Sequence, residues 1–143
     1  VFTDAETPFV IGKADRLGSG TDVSLFATGH MVWNAVEAAK SLEARGVSVD
    51  VISVPTIKPL DADTILDSFS KTHCGVVCEE HQINGGLGDA IAHLVTQNKP
   101  YPLEFVGVND KFGESGKPLD LLKKYGLDAE DIVAAAHKVL KRK

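Results

Sequence analysis

The sequence predicts an α/β domain in which parallel strands alternate with helices that cover both faces of the sheet. Three observations carry this. Apolar, β-branched runs alternate with stretches of helical periodicity about 10–15 residues long, the pattern of βαβ units. The runs are apolar on both faces, as strands covered by helices on two sides must be. Breakers fall between the periodic segments, among them Gly46, Pro55, Pro100 and Pro102.

Each element has its own signal. Residues 1–21 lack periodicity and are expected to be a lead-in from a preceding domain; Phe9-Val10-Ile11 is their candidate short strand, and Gly18, Ser19 and Gly20 then break the chain. The domain proper is expected over residues 22–143. Residues 22–28 form the first strand. Val32, Ala35, Val36, Ala39 and Leu42 recur at helical spacing, and Gly46 stops that helix. Val47 to Val54 is the next strand, ended by Pro55. Asp61 is a good N-cap after Pro59, with Leu60 and Ile65 at staple positions and an apolar face of Ile65, Leu66 and Phe69. Residues 74–79 make a third strand. A turn at Asn84-Gly85-Gly86 leads to a helix through Ile91, Leu94 and Val95. Leu103 to Val108 is the fourth strand, and Pro118 to Tyr125 a short helix. From Asp128 a last helix carries Ile132, Ala135, Ala136, Val139 and Leu140 on one stripe. Acids open it and Lys138, Lys141, Arg142 and Lys143 close it, matching the helix dipole; the basic tail reads as a solvated face. Crossovers should be right-handed.

Composition bounds the function. The formal net charge is −5 over 143 residues, which argues against a general nucleic-acid or anionic-membrane binder. No apolar run approaches the roughly 18 residues of a spanning helix, and no signal peptide is visible. The first residue is Val and the sole methionine is Met31, so the natural translation start is expected to lie elsewhere. Cys74 and Cys78 sit four strand steps apart, about 13 Å, too far for a disulfide, which needs Cα atoms roughly 4.4–6.8 Å apart. They read as small, reduced core residues, which favours a reducing, cytoplasmic setting. Their spacing has no second pair to suggest zinc.

Ligands of open α/β sheets bind outside the carboxyl ends of the strands. Three groups fall there: Thr28-Gly29-His30, Glu79-Glu80-His81 and Gly85-Gly86-Leu87-Gly88. The glycines serve either a tight turn with close helix packing or an exposed row of N–H groups for an anion. They match neither a dinucleotide fingerprint nor a phosphate-binding loop, and the carboxylates nearby oppose a phosphate unless they point away. Glu79 and Glu80 are adjacent on a strand and point to opposite faces, so they should not act as a dyad. One of them is suited to cap a neighbouring helix or to bridge to another domain. His30 is either a pocket residue or simple surface. His73, His93 and His137 are too scattered for a metal site, and no nucleophile elbow is present. Trp33 lies about 120° from the centre of its helix's apolar stripe, on the side of Glu37 and Lys40. It is either an isolated exposed aromatic or a contact to a second domain or subunit.

Four pieces now fall in order: Val54-Pro55-Thr56-Ile57-Lys58-Pro59-Leu60-Asp61; Glu79-Glu80-His81 with Gly85-Gly86-Leu87-Gly88; Phe112-Gly113-Glu114-Ser115-Gly116-Lys117-Pro118; and Leu121-Leu122-Lys123-Lys124-Tyr125-Gly126-Leu127. Together they resemble the transketolase C-terminal domain from about Gly12 to the end. Deoxyxylulose-phosphate synthase and the β subunits of 2-oxoacid dehydrogenases share this domain, and in the latter it docks partner chains. The Phe112–Pro118 segment favours transketolase, and the Thr56–Asp61 form looks like the animal or split prokaryotic type. The resemblance implies a three-layer α/β/α sandwich with a mostly parallel sheet of about five strands, one of them antiparallel. It implies a part of an enzyme that moves a two-carbon ketol unit between sugar phosphates, in carbohydrate metabolism such as the pentose phosphate pathway. The family's coenzyme, thiamine diphosphate with a divalent metal (magnesium or calcium), is held by a Gly-Asp-Gly and Asn-Asn motif in another domain, and the activating glutamate lies in the middle domain. Neither motif occurs here. No catalytic, coenzyme-binding or metal-binding residue carries over, and the expected role is scaffold and assembly. The expected partners are the remaining domains or subunit, within a dimer. The rival readings are the C-terminal domain of a 2-oxoacid dehydrogenase β subunit or of a deoxyxylulose-phosphate synthase, and a nucleotide or phosphate regulatory module built on Gly29 and Gly85–Gly88.

Overall fold

The computed structural model describes residues 6–143. In chain order it contains β1 (Asp15–Arg16), β2 (Val23–Ala27), α1 (Met31–Glu43), β3 (Val49–Ser53), α2 (Ala62–Thr72), β4 (Gly75–Gln82), α3 (Leu87–Asn98), β5 (Leu103–Val108), α4 (Pro118–Lys124) and α5 (Ala129–Leu140). The five strands form one sheet in the order β1-β3-β2-β4-β5. β2 pairs in parallel with β3 and β4, β4 pairs in parallel with β5, and β1 alone is antiparallel. This is the expected α/β sandwich with a mostly parallel sheet.

Strand geometry divides the core in two, because successive side chains point to opposite faces. Val23, Leu25, Val51, Val76 and Cys78 face α1 and α5, where Met31, Ala35, Leu42, Ile132 and Val139 close over them. Phe26, Ile52 and Val77 face α2 and α3, where Ile65, Phe69, Leu87, Ile91 and Val95 complete a second cluster. Gly75 on β4 makes room on this second side: a Cβ there would stand 2.9 Å from Phe69 Cε1. The rings of Phe26 and Phe69 instead pack over the backbone with centroids 4.8 Å apart.

The second face also carries a buried polar chain. Ser24 Oγ lies 2.6 Å from both Ser68 Oγ and Thr72 Oγ1, and Ser68 Oγ donates to Asp50 Oδ2 at 2.7 Å. Asp50 Oδ1 accepts no hydrogen bond among the described residues; Arg16 Nε, 3.2 Å away but out of hydrogen-bond alignment, balances its charge. Arg16 Nη2 also pairs with Asp67 at 2.7 Å.

That arginine explains a departure from expectation. Phe9-Val10-Ile11 forms no strand. The edge strand is Asp15–Arg16, inside the segment expected to be only a lead-in, with Asp15 opposite Ser53 and Leu17 N–H bonded to Val51 O at 2.8 Å. Its two residues are held by a long-range ion pair, which local apolar content does not reveal. β4 also runs past Glu79 to Gln82, where it rejoins Val108 of β5 after a register shift.

The helix caps follow the sequence signals. Asp61 accepts from Thr64 N–H at 3.3 Å and caps α2. Asp128 and Asp131 form a reciprocal capping box at the start of α5. The basic tail is not merely solvated: Lys138 and Arg142 pair with Glu104 of β5, and Arg142 Nη1 donates to Leu103 O at 2.9 Å. Desolvation is the largest single influence on Glu104 and pushes its carboxyl up. The hydrogen bonds and charges of Lys138 and Arg142 outweigh it and hold the group below its ordinary value. Both cysteines are free and buried, and burial pushes both thiols up, which makes them inert. Among the described residues no helix is long and apolar enough to cross a membrane.

Candidate functional site: the carboxyl ends of the strands

The residues singled out at the strand ends converge on one cleft. Its volume is about 420 Å³, and Gly29, His30, Glu79, Glu80, His81, Gly85 and Gly86 line it together with Thr28 and Ile57. Parallel pairing of β2 and β4 places the turn into α1 beside the end of β4. Gly88 does not line the cleft. Ile57, in the loop after β3, is the lining residue the sequence did not single out; a lone apolar residue in a loop carries no pattern.

The two carboxylates have opposite fates, as strand alternation requires. Glu79 turns toward α3 and is only 2% exposed. Its Oε2 accepts from Leu87 N–H at 2.8 Å and its Oε1 from Gly88 N–H at 2.9 Å. It therefore satisfies two of the donors that the first turn of α3 leaves over, and its charge sits at the positive end of the helix dipole. This close approach accounts for Gly86: a Cβ there would stand 2.0 Å from Glu79 Oε2. The preceding Gly85 has a φ of +84°, and its N–H donates to Asp89 Oδ2 at 2.5 Å. Glu80 points to the other face and is half exposed. Its Oε2 lies 3.3 Å from His30 Nδ1. His81 Nδ1 donates to Gln82 O at 2.8 Å and stands 4.0 Å from Glu79 Oε2.

Chemically, this arrangement restricts the cleft. Glu79 has both oxygens engaged and cannot serve as a free general base. The Leu87 and Gly88 N–H groups that could have cradled an anion are already occupied, so a phosphate at α3 would have to displace a buried carboxylate. Of the two readings of the glycine cluster, packing is the one the contacts support. Among the described residues no group of three or more His, Cys, Asp and Glu side chains is placed to hold a metal ion. Trp33, in the first turn of α1, is 53% exposed, with Lys40 Nζ 5.8 Å from its ring centroid.

Residues 12–132 match the family model described as transketolase, C-terminal domain. The chain is 45% identical over 135 residues to the 6-deoxy-6-sulfo-D-fructose transketolase subunit SqwH of Clostridium sp. (strain MSTE9), covering 94% of this chain and 42% of that protein. It is 38% identical over 125 residues to the 1-deoxy-D-xylulose-5-phosphate synthase of Caldanaerobacter subterraneus subsp. tengcongensis, covering 87% of this chain and 20% of that protein. Among solved structures, a split gene transketolase described as an inactive beta4 tetramer superposes with a TM-score of 0.94 at 42% identity, covering 97% of this chain and 46% of that one. The chain thus spans less than half the length of these relatives.

Proposed function

The chain belongs to the transketolase C-terminal domain family, and from that premise we propose that it is the scaffold and assembly part of a transketolase. The parent moves a two-carbon ketol unit between sugar phosphates. Thiamine diphosphate and its metal belong to the remainder of the parent, and the coenzyme supplies the electron sink for the transfer. This chain's own contribution is a rigid sheet whose strand ends, fixed by Glu79 and by the Glu80–His30 pair, present a preformed surface. Relatives named as a transketolase subunit and a split gene transketolase favour a parent divided into two subunits. The buried, reduced thiols are consistent with a cytoplasmic, reducing setting.

The observation that carries the reading is the filled N-terminus of α3. The family's chemistry needs a diphosphate site, and the helix N-terminus at these strand ends has its backbone donors already holding Glu79. The test is calorimetry of this chain against thiamine diphosphate with magnesium, followed by a ketol-transfer assay with and without the coenzyme-holding part of the parent. The chain alone should give no binding heat and no turnover, and mixing should restore transfer. Stoichiometric coenzyme binding by the chain alone would overturn the proposal. A second reading rests on the deoxyxylulose-phosphate synthase relative: if the reconstituted enzyme makes that sugar phosphate and transfers no ketol unit, the assignment moves there.

A further inference from the structure

Asn84-Gly85, in the turn between β4 and α3, is the only Asn-Gly pair in the chain. Such a pair can modify itself. Glycine has no side chain to shield its nitrogen, so that nitrogen can attack the asparagine Cγ. A new N–C bond forms, the carboxamide nitrogen leaves as ammonia, and a cyclic succinimide remains. Water opens the ring at either carbonyl and gives aspartate or isoaspartate. The balance is one water in and one ammonia out.

The other asparagines are placed against this reaction. Asn34 Nδ2 donates to Leu127 O at 2.8 Å and Asn98 Nδ2 to Leu94 O at 2.9 Å, which ties both carboxamides down. Asn109 is followed by Asp110, whose side chain crowds the attack. Asn84 is exposed, and its side chain makes no hydrogen bond among the described residues. Gly85 has a φ of +84°, which glycine adopts at little steric cost. A Cβ on Gly85 would meet nothing within 4 Å, so water reaches the peptide.

One contact opposes the reaction. Gly85 N–H donates to Asp89 Oδ2 at 2.5 Å. The attacking nitrogen must shed this proton. A carboxylate is far too weak a base to take it, and its negative charge disfavours the amide anion that must form. We propose that Asn84-Gly85 is a covalent self-modification site held in check by Asp89, and that its conversion loosens the start of α3. Isoaspartate inserts an extra backbone carbon directly before Gly85, and aspartate adds a negative charge to a turn that already holds Asp89. The turn has no slack to absorb this: a Cβ on Gly86 would stand 2.0 Å from Glu79 Oε2. A displaced turn therefore acts on Glu79, whose oxygens hold the Leu87 and Gly88 N–H groups. Gly85 and Gly86 also line the strand-end cleft, so the same conversion alters its wall.

The test is to age the chain in mildly alkaline buffer and follow amide-to-acid conversion at each asparagine by peptide mass spectrometry. Asn84 should convert first. Asp89→Ala should speed its conversion in the folded chain by at least about tenfold, the worth of a charge-assisted hydrogen bond, and leave the rate in concentrated urea unchanged. Conversion that starts at another asparagine, no acceleration in the folded variant, or equal acceleration in urea would each overturn the proposal. If Asp89→Ala melts lower, the unmodified chain decides: its Asn84 should convert at least about tenfold more slowly folded than in urea, and equal rates overturn the check by Asp89. The converted fraction, separated by anion exchange, should exchange the Leu87 and Gly88 amides faster than fresh chain, with Val76 and Ile132 unmoved. Leu87 and Gly88 amides that stay as slow as before, or that accelerate equally in aged Asn84→Gln, overturn the effect on α3.

Discussion

The two faces of the sheet are built on different physics. Among the described residues the six buried polar side chains, Ser24, Asp50, Asp61, Ser68, Thr72 and Glu79, lie on the side of α2 and α3. The face under α1 and α5 buries apolar side chains, with small Ala35, Ala38 and Ala39 letting α1 approach the strands. Apolar burial is strong but non-directional, so that face supplies cohesion without fixing where a loop must end. Hydrogen bonds in a buried setting are modest in net energy and costly to leave unmade, so they dictate position. The polar face accordingly holds what must be placed: β1 through Arg16 and Asp50, the lead-in through Asp61, and the start of α3 through Glu79.

The comparison breaks most visibly on the apolar face. Leu25 is fully buried at the centre of β2. Leu25→Ala should cost about 2–5 kcal/mol, the lost transfer energy plus the cavity left behind. A urea titration should show a lower midpoint at unchanged slope. Amide exchange at Leu87 and Gly88 should keep its ranking among the slow positions, because no group that positions α3 is touched. A loss under about 1 kcal/mol would mean that this face repacks freely.

On the polar face the cost is smaller and the local signature sharper. Glu79→Ala leaves the Leu87 and Gly88 N–H groups buried without acceptors and should cost about 1–3 kcal/mol. Glu79→Gln keeps one acceptor oxygen and should recover part of it. Exchange at Leu87 and Gly88 should accelerate far more than at Val76 or Ile132. If Glu79→Ala acted uniformly across the domain, the carboxylate would be filling space and not positioning a helix.

The same contrast explains what was legible in the sequence. Apolar periodicity is a local signal, so the parallel strands, α1 and α5 could be read, as could the Asp61 cap, which acts within three residues. Strand ends are where open α/β sheets gather ligands, so the cleft residues could be named before their contacts were known. Position on the polar face depends on partners far along the chain. Arg16 meets Asp50 across 34 residues of chain, so the edge strand was hidden and the β-branched Val10-Ile11 misled. Glu104 meets Lys138 and Arg142 from equally far, so the basic tail looked solvated. One of Glu79 and Glu80 was recognisable as a helix cap or an interdomain contact, but only the bonds from Leu87 and Gly88 N–H showed Glu79 to be the cap.

The subtlest difference between the faces should appear with pH. Desolvation is the largest single influence on Asp61 and pushes its carboxyl up. The Ala14 N–H, the Thr64 hydroxyl and N–H, and the charge of Lys13 together outweigh it, and Asp61 titrates below its ordinary 3.8. A carboxyl lowered by folding contributes stability that is present in full above 3.8 and is lost as the pH falls through its lower folded value. Asp61→Asn removes that charge and leaves one acceptor oxygen where two now accept from Ala14 N–H, Thr64 N–H and Thr64 Oγ1, which should cost about 0.5–1.5 kcal/mol near pH 7. The gap between wild type and variant should hold down to about pH 5 and close below 3.8, measured as paired urea midpoints. Leu25→Ala carries no titrating group, so its deficit should stay constant over the same range. A gap for Asp61→Asn that stays equally constant would mean that Asp61 acts by shape alone, and the polar face would then hold the lead-in without help from charge.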